Sequence, residues 1–180
     1  KSTLARSLAR QRGWRHFCVD DHLGEYAARG EESGGAICAK HAGMSLSEFW
    51  MRNPKEQCEE LVGFYHEVFP FVLSDLVLEA AASDVPVVAE GIAFLPELLS
   101  ESGVDAKHCA YLVTARPLHD ELYRVRAWTS QLLEGCEDRS RAFQLWMERD
   151  NLFAQHVRRQ ARNSGYRIYE VASVDDFARL

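Results

Sequence analysis

Leu4, Ala5, Leu8 and Ala9 recur at helical spacing, with Arg6, Ser7 and Arg10 on the other faces. This pattern predicts an amphipathic helix that Gly13 stops. Four short apolar runs come later: His16-Phe17-Cys18-Val19, Val85-Pro86-Val87-Val88-Ala89, Ala110-Tyr111-Leu112-Val113 and Tyr166-Arg167-Ile168-Tyr169-Glu170-Val171. Each is rich in β-branched or aromatic residues and separated from the next by helical sequence, so they predict the strands of a parallel sheet covered on both faces. The expected class is therefore α/β. In open sheets of this kind ligands bind beyond the carboxyl ends of the strands. Asp20, Asp21, Glu90 and Thr114 fall at those ends.

The longest connection is the segment 22–84. Its first part, through Gly30, Ser33, Gly34, Gly35 and Gly43, reads as irregular. Ser45 and Glu48 have the spacing of a capping box and open a helix over SEFWMR before Pro54. From Lys55 to Ala82 the pattern is helical again, with Leu61, Phe64, Tyr65, Val68, Val72, Leu76 and Leu78 as the apolar face and Pro70 expected to break or kink it. The aromatic residues here read as core. A connection of this length exceeds what a crossover needs and is expected to include a helical insertion over an acceptor substrate.

After the third run, a basic helix is expected from Leu118 to Trp128, then a loop around residues 134–138, then a long helix carrying Trp146, Arg149, Asn151 and Phe153. The stretch from about 116 to 150 reads as a lid. Its Arg124 and Arg126, with Arg149 as a third candidate, have the chemistry to stabilise a transferring phosphoryl group. Carboxylates able to neutralise them, Glu121, Glu137, Asp138, Glu148 and Asp150, lie close in sequence.

With 180 residues and 47% hydrophobic content the chain suits one domain with a sizeable core. A net charge of −6 gives no electrostatic footprint for nucleic acid. No uninterrupted apolar run has the length of a membrane span and no secretory leader is visible, so a soluble, cytoplasmic protein is expected. The five cysteines, Cys18, Cys38, Cys58, Cys109 and Cys136, are scattered and odd in number, which points to reduced thiols. Cys38 and His41 form an isolated C-x-x-H without a second pair.

The chain opens on Lys1-Ser2-Thr3 running straight into the first helix. These residues match the end of a phosphate-binding loop, G-x-x-x-x-G-K-[ST], whose glycines cradle phosphates while the lysine reaches the terminal ones and the hydroxyl holds Mg²⁺. Lys1 and Ser2 take those roles, and Thr3 lies beside them. The first strand and the glycine loop are then expected upstream of residue 1.

Together with FCVDDH and VVAEGIAFLPE, this opening resembles the P-loop small-molecule kinases of the nucleoside-monophosphate-kinase-like superfamily, in particular its uridine-kinase-like and chloramphenicol-phosphotransferase-like members. The resemblance covers nearly the whole chain in order of elements. It implies a three-layer α/β/α fold with a mostly parallel sheet, and ATP-dependent transfer of a γ-phosphoryl group to a small-molecule hydroxyl with Mg²⁺. It gives Asp20, and after it Asp21, the role of general base toward the acceptor, and Glu90 a place holding Mg²⁺ through water or contacting the acceptor. Arg124 and Arg126 match the lid arginines, and residues 172–176 match the segment that contributes backbone contacts to adenine. The DGFPR-like segment of adenylate kinases, the DRY motif of thymidylate kinases and the NKxD motif of GTPases are not present in these residues. The acceptor is open, with sugars, sugar acids and antibiotics among the compatible classes. Two other functions fit the same opening tripeptide: a nucleotide-binding regulator or adaptor without turnover, and a sulfotransferase-like P-loop protein that needs no Mg²⁺.

Overall fold

The computed structural model describes residues 2–179, and their side chains through residue 176. Lys1, assigned above to the terminal phosphates, lies outside the described residues. In chain order the elements are α1 (Ser2–Arg12), β1 (Arg15–Cys18), α2 (Leu23–Glu32), α3 (Ala36–Ala42), α4 (Leu46–Trp50), α5 (Pro54–Ala81), β2 (Val87–Glu90), α6 (Pro96–Glu101), β3 (Ala110–Thr114), α7 (Arg116–Arg124), α8 (Ala127–Leu132), α9 (Arg139–Asn163) and β4 (Arg167–Val171).

α1 buries Ala5 and Ala9 and packs against both β1 and β2. It ends where expected. Gly13 takes φ +66, the left-handed conformation that costs glycine nothing, and the Trp14 amide reaches back to the Ala9 carbonyl at 2.8 Å. All four expected strands are present within a residue or two of their expected ends. Val85 and Pro86 precede β2, and Val19 leaves β1 to start a single 3₁₀ turn, Val19–His22, that carries Asp20 and Asp21.

Among the described residues the strands form two pairs. β1 pairs with β2 in parallel, Arg15 opposite Val87 and Cys18 opposite Glu90, and β3 pairs with β4 in parallel, Ala110 opposite Arg167 and Thr114 opposite Val171. The hydrogen-bond phase shows which residues form the open edges. Arg15 N–H donates to the Pro86 carbonyl at 2.9 Å, which in a parallel ladder turns the backbone groups of Val87 and Ala89 away from β1. Ala115 N–H donates to the Val171 carbonyl at 2.8 Å, and the same alternation turns those of Leu112 away from β4. Among the described residues no other strand pairs with these two edges. Among the described residues the parallel sheet expected without its first strand is two parallel pairs that share one hydrophobic core.

Three expectations are corrected. The stretch after His22, read as irregular, forms α2 and α3. Gly30 is a packing residue within α2: a Cβ there would lie 2.5 Å from Cys38 Sγ, so its glycine lets α3 come close. The turn itself belongs to Gly34, at φ +86, and Glu67 on α5 then accepts from the amides of Ile37 and Cys38 at the start of α3. α5 runs through Pro70 without a break. Pro70 and His66 are both exposed, so the His66 carbonyl that loses its helical donor faces water. The helix expected from 118 to 128 is two, α7 and α8, separated at Val125 and Arg126, where Arg126 turns extended. The capping box of Ser45 and Glu48 is present at α4 as expected.

α5 also corrects the expectation about apolar length. By length and composition its 28 residues suffice to cross a bilayer, with a mean hydropathy of 1.4 over its most apolar 18-residue stretch. Its Phe64, Tyr65, Val68, Phe69 and Val72 are buried in the core shared by both strand pairs. Core helices of this length and composition pass the same test.

Glu60 ties α3, α4 and α5 together. Its carboxylate accepts from Lys40 at 2.5 Å, Arg52 at 2.6 Å and His41 at 3.2 Å. Burial works against its charge, but these three donors outweigh it and hold the carboxyl at about 2, below its ordinary 4.5. A depressed carboxyl contributes stability that is fully present above pH 4.5 and is lost as the pH falls toward 2. Glu60→Gln is therefore expected to lower unfolding free energy at neutral pH by roughly 2 kcal/mol and to flatten the acid limb of the stability curve. Urea titrations at several pH values check this, and a variant with the wild-type acid limb refutes the pairing.

Candidate functional site

The residues within electrostatic reach of one another beyond the carboxyl end of β1 come from the turn after it, from α5, α7 and α9, and from Arg126 between α7 and α8. Asp20 sits in the exposed turn immediately after the strand. Tyr65 of α5, 4% exposed, and Tyr123 of α7 lie within electrostatic reach of it. Burial raises both phenols, and among the smaller contributions Asp20 and Asp150 raise them further. Tyr123 is pushed up to about 12. Both phenols are thus neutral hydrogen-bond donors at ordinary pH, next to a carboxylate at the rim.

α9 supplies Arg149 and Asp150. Arg149 is 7% exposed and donates to Asp150 Oδ1 through Nε at 2.9 Å and through Nη2 at 2.6 Å. Its guanidinium carbon lies 4.9 Å from the ring centre of Trp50 and 5.9 Å from that of Trp146. These two indoles stack at 4.4 Å and belong to a second apolar cluster with Leu133, Cys136, Ala142 and Met147. Asp150 Oδ2 is 3.4 Å from His119 Nε2 on α7.

The predicted arginines separate here. Arg126 lies over Tyr123 at 4.7 Å and over Trp128 at 5.4 Å, which puts its charge beside the tyrosine that senses Asp20. Arg124 points elsewhere, over Phe143 at 5.0 Å. Arg149 is close to the site, but its guanidinium is matched by Asp150, so a phosphate drawn to it competes with that carboxylate. Asp21 is exposed in the same turn as Asp20.

Glu90 lies on the strand beside this turn. It is 8% exposed, its Oε1 is 3.5 Å from His16 Nε2, and apart from the neighbouring Cys18 thiol its buried oxygens have no hydrogen-bond donor. Next to it burial first, and then Glu90 itself, raises the Cys18 thiol to about 11. A buried carboxylate with only a weak thiol donor has oxygen valence left for a hydrated cation. Among the described residues no three His, Cys, Asp or Glu side chains converge as a metal cage. Mg²⁺ held by one or two protein groups together with substrate phosphates needs no such cage. Ser2 and Thr3 stand at the start of α1, Ser2 half-buried and Thr3 exposed.

Asp20, Arg126 and Arg149 all lie within electrostatic reach of Tyr123. His119, Tyr123, Asp150, Tyr65 and Trp50 were not singled out as site residues. His119 and Tyr123 are four apart on one helix, which puts them on one face. That spacing is the only signal in the sequence for their meeting. Comparison with family models, with curated proteins and with solved structures found no match.

Proposed function

We propose that this chain carries the catalytic rim of an ATP-dependent phosphotransferase acting on a small-molecule hydroxyl. The observation that carries the reading is that Asp20, just past the carboxyl end of a parallel strand, lies within electrostatic reach of two buried tyrosines, one of them under Arg126, while α1 packs on the same strand pair. Asp20 is the group that orients the acceptor hydroxyl and takes its proton, with Asp21 as the second candidate. It does this as an ionised carboxylate whose contribution is first geometric. Tyr65 and Tyr123 hydrogen-bond acceptor oxygens, and Arg126 covers charge that develops on the transferring group. Arg124 takes a lesser part because its charge rests on Phe143. Lys1 and Ser2 serve the nucleotide phosphates and Mg²⁺, with Thr3 beside them, and Glu90 serves the hydrated metal. Mg²⁺ supplies charge neutralisation between the phosphates.

The finer fold belongs to the same reading. A parallel strand leading into α1 would satisfy the edges at Val87, Ala89 and Leu112 and join the two pairs into the central sheet of a three-layer P-loop fold. α1 packs on β2 as well as on β1, the strand it leads into. A right-handed crossover passing over β2 has this geometry.

The test is thermal unfolding with ATP, with and without Mg²⁺. At about a hundred times its dissociation constant a ligand adds ~2.7 kcal/mol, which moves the melting temperature of a domain of this size by roughly 5–10 °C. A rise that EDTA largely removes supports the reading. A rise unaffected by EDTA favours the sulfonucleotide alternative, and no rise refutes nucleotide binding.

A further inference from the structure

His119 on α7 lies between two carboxylates on different helices. Its Nε2 is 3.4 Å from Asp150 Oδ2 on α9, and its Nδ1 is 3.8 Å from Asp120 Oδ1 on its own helix. Asp120 Oδ1 is closed off from solvent and has no hydrogen-bond donor, while Asp120 Oδ2 is 3.7 Å from Arg116 Nε. The imidazole stacks on Tyr123 at 4.1 Å between ring centres. Tyr123 in turn meets Trp128 at 5.4 Å and Trp146 at 5.6 Å, and Arg126 covers its other surroundings.

A neutral imidazole has one N–H. It can serve Asp150 or Asp120 but not both, and the second nitrogen then turns a lone pair toward a carboxylate. Two protons match the two acceptors. We propose that His119 is a proton-operated latch between α7 and α9, held to Asp150 alone when neutral and bridging Asp150 and Asp120 when protonated, so that proton uptake reseats Tyr123 and Arg126 over the site. The titration of His119 between its two carboxylates stands apart from the phosphotransferase reading, and only the consequence for the site rests on it.

The groups facing His119 set the pH at which the latch works. Burial disfavours the imidazolium most, Asp150 and Asp120 favour it, and Arg126 opposes it, with a net result below the ordinary 6.5. Arg149 and Arg116 act through the carboxylates they share with it. Because the folded pKa is lowered, the unfolded chain binds this proton more readily, and stability falls as the pH drops below 6.5. Latching is therefore an acid-side event.

Tryptophan fluorescence of the wild-type protein, without nucleotide, is the test, because Trp128 and Trp146 both touch Tyr123. A pH titration is expected to show a transition with its midpoint below 6.5 that His119→Gln abolishes. Asp120→Asn is expected to lower the midpoint by roughly half a pH unit or more, since it removes a carboxylate that favours the charge. This second variant keeps the test decisive if His119→Gln does not fold. His41 also has a lowered pKa and contacts Phe49 beside Trp50, so His41→Gln is the control and should leave the transition in place. No transition in the wild type, a transition that survives His119→Gln or vanishes with His41→Gln, or an unmoved midpoint in Asp120→Asn overturns the latch.

Discussion

Gly91→Ala is expected to destabilise the protein by roughly 2–6 kcal/mol, the sum of overpacking and backbone strain at about 1–3 kcal/mol each. Gly91 follows β2 at φ +157, and a Cβ there would stand 2.4 Å from Val19 Cβ and 2.6 Å from Val19 Cγ2. Val19 cannot yield easily. It is fully buried, follows the last residue of β1 and is the residue before Asp20. A side chain at 91 therefore pushes on the turn that carries the acid, and any protein that stays folded should also lose transfer activity. Urea unfolding reads the first effect, and wild-type stability in this variant would show that the close approach of Gly91 to Val19 is not a constraint.

Asp20→Asn is expected to reduce phosphoryl transfer by about a hundredfold to ten-thousandfold, the usual range for removing a positioned general base. Asparagine keeps the size of the side chain and removes its ability to take a proton. Asp20 is exposed in its turn, so the fold and nucleotide affinity should change little. Asp21→Asn separates the two candidates, since the neighbour in the same turn should cost much less if Asp20 is the base. The opposite order would exchange their roles, and wild-type transfer in both variants would remove the base from this turn.

Much of the rim was legible because strand ends are local features. Asp20 and Glu90 are the first polar residues after apolar runs, or the last residue of one, and the four strands formed where those runs lie. The basic stretch before residue 127 led to Arg126. Its partner arginine, Arg124, differs in surroundings only because the helix breaks after it, and the break depends on Thr129 Oγ1 capping the Tyr123 carbonyl at 2.8 Å. The His119, Asp150 and Tyr65 grouping was hidden because it requires three helices to meet, and no local spacing reports that. Gly30 misled for a related reason. A glycine that permits helix approach looks the same in sequence as one that makes a turn. Which strands pair was not legible either, because pairing is a property of strand neighbours that no single run contains.

The central claim is tested most directly by incubating the protein with γ-labelled ATP, Mg²⁺ and a low-molecular-mass extract of hydroxyl compounds, then separating the products. The proposed function predicts a labelled phosphate ester that needs Mg²⁺ and is lost in Asp20→Asn. ATP that binds in the presence of Mg²⁺ while no compound in the extract takes up label would contradict phosphotransfer and point to a nucleotide-binding regulator.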